Sequence, residues 1–403
     1  MKIGTKEMCG FSAVLLLALC VWGTSSSPAQ THPAPSEHSG KLARSDSFDD
    51  LASRAQAAME ADRVPEAIRL YARATALRPD WAEGWWHLGT LLFDSRHYTE
   101  AENAFAHFVS VEKKQPGPGF GMFGLSEFHL KQYRGALSSL ERGIRLGLGN
   151  NLDFMRVVLY HDGVLHAQAG QSEIGLQRLT LAANQIAAAH PEGPKEAVLA
   201  DTELLDAFGV AGLRVEKMPS DLASSQIPIV RQAGRAQALI ALQDRVAAEA
   251  EFKQLLAFYP SEPGVHYMYG VFLLKEHPPL AVDEFRREIQ ISPSHVPARI
   301  QLALELLRSG GYQEGLRYAQ DAIALAPRNF VAHVACGRLW IELGKPERAL
   351  EELQTAVKLA PGSPDAHFAL SRALAQAGRN QEAAHERAEF ERLKTLEEAA
   401  DHH

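Results

Sequence analysis

Cysteine is almost absent: Cys9, Cys20 and Cys336 are the three in 403 residues. That scarcity excludes a disulfide-stapled scaffold. Strand patterning is also scarce. Alternating Val, Ile and Thr runs hardly occur, and alanine and leucine dominate a hydrophobic content of 46%, which favours helix over sheet. There is no surplus of positive charge. A formal charge of −8 argues against a general binder of nucleic acid or anionic membranes, since both require a basic surface. Catalytic signatures are missing too. HERAE at His385 lacks the second histidine of HExxH, and no GxSxG elbow or Walker sequence occurs. GFGMFG, Gly119 to Gly124, fits GxGxxG, but no strand precedes it and no βαβ unit surrounds it. The preceding PGPG, Pro116 to Gly119, reads as a turn. No cofactor, no metal site and no enzyme are expected from this inventory.

What is present begins with an export signal. Lys2 and Lys6 precede FSAVLLLALCVW, Phe11 to Trp22, an apolar run short for a bilayer span. Ser27-Pro28-Ala29 supplies the small-x-small pattern, so cleavage is expected after Ala29. The mature chain would then be periplasmic or extracellular. It would have no integral span, and Cys336 would be its one cysteine. Losing Lys2, Lys6 and Glu7 takes the formal charge from −8 to −9. Lipid attachment at Cys20, opposed by the bulky Leu19, and an uncleaved N-terminal anchor are the alternatives. Residues 30–47 are polar and proline-rich, the composition of a disordered linker.

Prolines then recur in phase. LLAFYP, EIQISP, AIALAP and AVKLAP end at Pro260, Pro293, Pro327 and Pro361, spaced 33, 34 and 34 residues. ATALRP closes an earlier segment at Pro79. A fixed period of this size marks stacked helical units. With the proline as position 32, units start near Phe48, Ala82, Gly117, Arg156, Ile229, Pro263, Val296, Phe330 and Pro364. The unit from Pro263 lacks one residue at His277-Pro278-Pro279.

This pattern resembles the tetratricopeptide repeat (TPR) family, a helix–turn–helix unit of 34 residues. The resemblance covers most of the mature chain. It implies a large residue at position 4, Leu at 7, small residues at 8 and 20, a large one at 24 and Ala at 27. The unit from Ala82 supplies Trp85, Leu88, Gly89, Ala101 and Phe105 in that frame. One unit cannot seal its own apolar face, so the units must stack. The expected fold is all-α: a right-handed α-solenoid of about nine units in two stacks. TPR stack 1 covers residues 48–189 and stack 2 residues 229–393, with a C-terminal tail at 394–403. Residues 190–228 interrupt the phase and read as a degenerate unit or a joint.

The TPR resemblance also implies a binding groove lined by positions 2, 5, 9, 12 and 13. In this sequence that face includes Trp86, Phe93, Leu125, Phe128 and Tyr160, then Tyr267, Val271, Ile300, Leu304 and Phe368, with Arg308, Arg338 and Arg372 further on. The aromatic strip suits recognition of a peptide or partner helix. Alternatively, neighbouring helices cover the rings. The arginines suit an acidic or carboxylate group, or are ordinary surface residues. The lysine- and asparagine-based clamp of chaperone-binding TPR domains is not found. His266, His333 and His367 share position 4 and read as packing residues, with no carboxylate or cysteine spaced for zinc. Cys336, at position 7, reads as core. The expected function is a non-enzymatic scaffold holding a protein or peptide. Two other readings stay open: a component of envelope polysaccharide export or outer-membrane assembly, and an enzyme that uses residues 190–228.

Overall fold

The structure, a computed structural model, describes residues 47–401. The expected signal segment, and the linker up to residue 46, lie outside the described residues. Among the described residues there are twenty α-helices and no strand. They form two compact units, dividing after Ala248.

In the first unit four hairpins follow one another. They are α1 (Phe48–Glu60) with α2 (Val64–Leu77), α3 (Ala82–Asp94) with α4 (Tyr98–Val111), α5 (Gly117–His129) with α6 (Tyr133–Leu146), and α7 (Leu152–Gln168) with α8 (Ser172–Ala189). Then come α9 (Pro194–Ala200), α10 (Thr202–Gly212), a 3₁₀ turn at Pro219–Asp221, α11 (Ile227–Ala241) and the opening of α12 (Arg245–Phe258). The second unit continues with α13 (Val265–Leu273), α14 (Pro278–Ile291), α15 (Val296–Ser309), α16 (Tyr312–Leu325), α17 (Phe330–Glu342), α18 (Pro346–Leu359), α19 (Pro364–Gln376) and α20 (Asn380–Asp401).

Local chemistry sets these boundaries. Ser47, Asn151, Asn329 and Ser363 start α1, α7, α17 and α19, each side-chain oxygen accepting the backbone N–H three residues on. Such caps satisfy N–H groups that have no partner inside the helix. The turns between paired helices share one feature. Position 15 is left-handed at Asp62, Arg96, Lys131, Gly170, Gln243, Gly310, Gly344 and Gly378, with φ between 54° and 83°. The repeat from Pro263 lacks that residue, and its helix α13 stops early, at Leu273. GFGMFG lies inside α5, and Gly117–Gly119, expected as turn, form its first helical turn. A Cβ on Gly117 would lie 1.9 Å from the Gly147 carbonyl oxygen, so glycine here serves close helix packing.

Position 8 is small for a reason the structure makes specific. A Cβ on Gly89 would meet Phe105 at 2.7 Å, on Gly270 Phe285 at 2.6 Å, and on Gly337 Leu353 at 2.4 Å. These partners occupy position 24, so the large residue there rests directly on the glycine. One core cluster of the first unit runs from Leu51 to Leu165. In the second unit, separate clusters centre on Leu339, Ala332 and Leu353.

The 190–228 interruption lies wholly in the first unit. Its expected helix, Lys195 to Leu213, is broken at Asp201, whose side chain caps α10. Gly209 and Gly234 let α10 and α11 touch: a Cβ on either would lie 1.8 Å from a carbonyl oxygen of the other helix. Arg231 ties the pair with two hydrogen bonds to Asp206, at 2.9 and 2.7 Å. At the C-terminal end, α20 runs on as one helix through residues expected as tail.

Candidate functional site

In the second unit α17 and α19 bound a concave pocket of about 170 Å³, lined by Arg338, Asp365, Phe368, Ala369 and Arg372. Phe368, at position 5, is 37% exposed and rests on Phe390 with ring centres 5.1 Å apart. Arg372 reaches Glu342 at 3.1 Å. Arg338 is half-buried and, among the described residues, has no hydrogen bond or ion pair. Arg308 lies outside this pocket; it pairs with Glu305 on its own helix at 2.7 Å. Thus two of the three expected arginines come together. Phe368, weighed in the sequence only as part of the strip, joins them.

The expected aromatics behave differently. Tyr267 is buried between Phe285 and His295. Phe93 is also buried, edge-on to Tyr98 and His129. Burial removes both from an accessible strip. Trp86 is half-buried against Phe105 and Phe108, while Trp85 stacks on His107 at 4.3 Å. Phe128 meets His161 edge-on at 4.5 Å. Burial, with His129 nearby, holds the His161 ring down at about 4, so it packs neutral. Tyr160 is half-buried; burial, with Glu203, Asp201 and Asp206 nearby, pushes its hydroxyl up. Those acids belong to α10 and its cap, so the interruption is what crowds this ring.

The position-4 histidines do have carboxylate partners. Nδ1 of His266 lies 2.5 Å from Glu284; His333 and His367 lie 2.6 Å from Glu352 and Glu386. Nε2 of each lies 3.0–3.1 Å from the carbonyl of Pro260, Pro327 or Pro361 in the preceding repeat. Trp85 makes the same proline contact, its Nε1 donating to Pro79 at 2.8 Å. Each proline carbonyl at a helix end lacks an intrahelical donor, and the ring of the next repeat supplies one. A carbonyl only accepts, so Nε2 donates to it, and one proton lies along the bond between Nδ1 and the glutamate. Burial alone would lower His266, but its bonds to Glu284 and Pro260, with the charges of Glu284 and Glu288, hold it above its ordinary range. The sequence signal was there: a glutamate at position 23 stands nineteen residues after His333 and His367. These are structural bridges, and among the described residues no group of three His, Cys, Asp or Glu could hold a metal ion.

Two further buried acids went unnoticed in the sequence. Asp162 takes position 7, where leucine is usual, and is fully buried. It accepts from Arg178 Nε at 3.0 Å, and His166 Nε2 lies 3.6 Å from it and 3.3 Å from Glu141. Burial pushes the Asp162 carboxyl up to about 6, against the pull of His166 and Arg178. Glu288, at position 27, accepts from the N–H groups of Gly264 and Tyr267 at 2.8 and 3.2 Å, and so caps α13 from α14. Cys336 is buried, and burial with the nearby Glu352 charge pushes its thiol up to about 12, the state of an inert core residue.

The tetratricopeptide repeat family matches residues 53–108, 300–364 and 337–389. No curated protein matches the chain. Among solved structures it is similar to a MamA RS-1 ArsTM double mutant, at 20% identity over 42% of this chain and 97% of that one, with a TM-score of 0.39. MamA 41-end from Desulfovibrio magneticus RS-1 is similar at 20% identity over 42% and 96%, with a TM-score of 0.38. YrrB, described as a TPR protein with an unusual peptide-binding site, is similar at 21% identity over 47% and 88%, with a TM-score of 0.33. Among the described residues no helix is long and apolar enough to cross a membrane.

Proposed function

Starting from a chain that is a tetratricopeptide repeat protein, we propose that it acts by binding, as a scaffold that holds a segment of a protein or peptide on its helix-A face. The pocket between α17 and α19 carries this reading. There a phenyl ring stays partly open beside an arginine without a partner. Exposed aromatic and arginine side chains in one concavity are the usual anchors of a recognition surface. Trp86, Phe93, Phe128 and Tyr160 are engaged in packing within the first unit, as is Tyr267 within the second, and no catalysis is assigned to the chain. Residues 190–228, which interrupt the repeat phase, pack through Gly209 of α10 against α11.

The test is a peptide-display selection on the whole chain. Enriched peptides should bind wild type and lose affinity for Phe368→Ala. Peptides that bind both equally well would remove the pocket from the account. We propose in addition that binding takes place after export, on the strength of Lys2, Lys6 and the Phe11–Trp22 run. Mass spectrometry of the extracytoplasmic chain should find Gln30 first; an intact Met1 would count against cleavage.

A further inference from the structure

The binding reading does not fix the ligand's chemistry, but the charges around the pocket constrain it. Resting on that reading, we propose that the α17–α19 pocket receives a peptide segment bearing one carboxylate beside an apolar side chain, the carboxylate on Arg338 and the apolar group on Phe368 and Ala369.

Four charges surround the pocket: Arg338, Asp365, Arg372 and Glu342. Arg372 is met by Glu342. Asp365 stands in the first turn of α19, where the helix N-terminus favours an anion. Arg338 and Asp365 have neither ion pair nor hydrogen bond among the described residues; Asp365 is exposed, whereas Arg338 is half-buried in the middle of α17, away from either helix end. A guanidinium there offers a two-pronged donor that matches a carboxylate. Asp365 and Glu342 flank it, so a second ligand anion would face a fixed carboxylate. One negative group fits; a run of acids, or a doubly charged phosphate, is repelled. The floor is apolar, formed by the part-open Phe368 and by Ala369. The volume of about 170 Å³ falls below the roughly 300–1,000 Å³ of small-molecule sites. It suits side chains of a longer segment and not a cofactor.

The whole chain, labelled at alanine methyl groups, is titrated with acetylated, amidated peptides while the Ala369 signal is followed by NMR. The probes are Leu-Asp, Leu-Asn, Leu-phosphoserine and Asp-Asp-Asp, with acetyl-leucine as a C-terminal carboxylate. Leu-Asp should bind about tenfold more tightly than Leu-Asn, and the preference should shrink with added salt. Acetyl-leucine binding as well as Leu-Asp would assign the carboxylate to a chain terminus. Arg338→Gln should erase the preference, Arg338→Lys should keep part of it, and Asp365→Asn should improve Asp-Asp-Asp several-fold. Equal binding of Leu-Asp and Leu-Asn to wild type, or a preference that survives Arg338→Gln, overturns the carboxylate assignment and leaves the binding site standing. If no probe moves Ala369 up to its solubility limit, both the assignment and the binding reading fall.

Discussion

Position 4 shows how differently the two units fill one frame. In the first unit it holds Leu51, Trp85, Phe120, Leu159 and Gln232, of which Leu51, Phe120 and Leu159 are buried. In the second it holds His266, Arg299, His333 and His367, and every histidine spans two repeats between a carboxylate and a carbonyl. Position 15 differs as well. Asp62, Arg96, Lys131 and Gln243, with one glycine, Gly170, take the left-handed turn in the first unit, where Gly310, Gly344 and Gly378 take it in the second. One backbone plan thus carries mainly apolar side chains at this position in one unit and mainly histidine bridges in the other. The first unit's aromatics are engaged in packing. The bridged unit leaves Phe368 and Arg338 open to a ligand.

The sharpest way to break the contrast is at the first unit's buried Asp162. Arg178→Ala leaves the buried Asp162 without its cation and should cost about 3–5 kcal/mol in denaturant unfolding. Asp162→Leu restores the leucine of the repeat pattern and should cost far less, or stabilise. The pH profile sharpens the point. A carboxyl raised to about 6 in the fold favours the protonated form, so its penalty is present above that value. The penalty fades as pH falls through 6 toward the ordinary aspartate range. Asp162→Leu should flatten this part of the profile; an unchanged profile would contradict the buried-acid account.

The second unit should respond in the opposite sense. His333→Leu strips the Pro327 carbonyl of its donor and should cost about 1–3 kcal/mol. His266 is raised above its ordinary range. Its stabilisation is therefore complete below about 6.5 and lost as pH rises through the folded value. Melting of the second unit should fall on that alkaline side, and His266→Phe should remove the His266 part of the slope. A smaller effect belongs to the turns. Gly344→Arg should cost about 1–2 kcal/mol, and Arg96→Gly should recover part of such a strain in the first unit. Smallest is Phe368→Ala, expected to change stability by no more than about 0.5 kcal/mol, as befits a part-exposed ring.

Much of this was legible in the sequence, because proline phase and small positions 8 and 20 are local steric requirements. Helix starts at Phe48, Ala82, Gly117, Phe330 and Pro364 follow from them directly. The fate of the strip was not legible. Tyr160 is crowded by α10, a helix outside the repeat phase, and the periodic frame says nothing of such a neighbour. The histidine bridges were readable as a nineteen-residue His–Glu spacing, but a search for metal geometry passes over a single carboxylate. Arg338 and Arg372 share position 9. Only the placement of Glu342 separates the paired arginine from the free one, and that separation depends on three-dimensional reach.

The most direct test of the open-versus-packed contrast is one set of dissociation constants. A display-selected peptide is titrated against wild type, Phe368→Ala and Trp86→Ala, with each variant shown to be folded. The account predicts a loss of about tenfold or more for Phe368→Ala and a change within about twofold for Trp86→Ala. The reverse order, with binding lost at Trp86 and kept at Phe368, would contradict it.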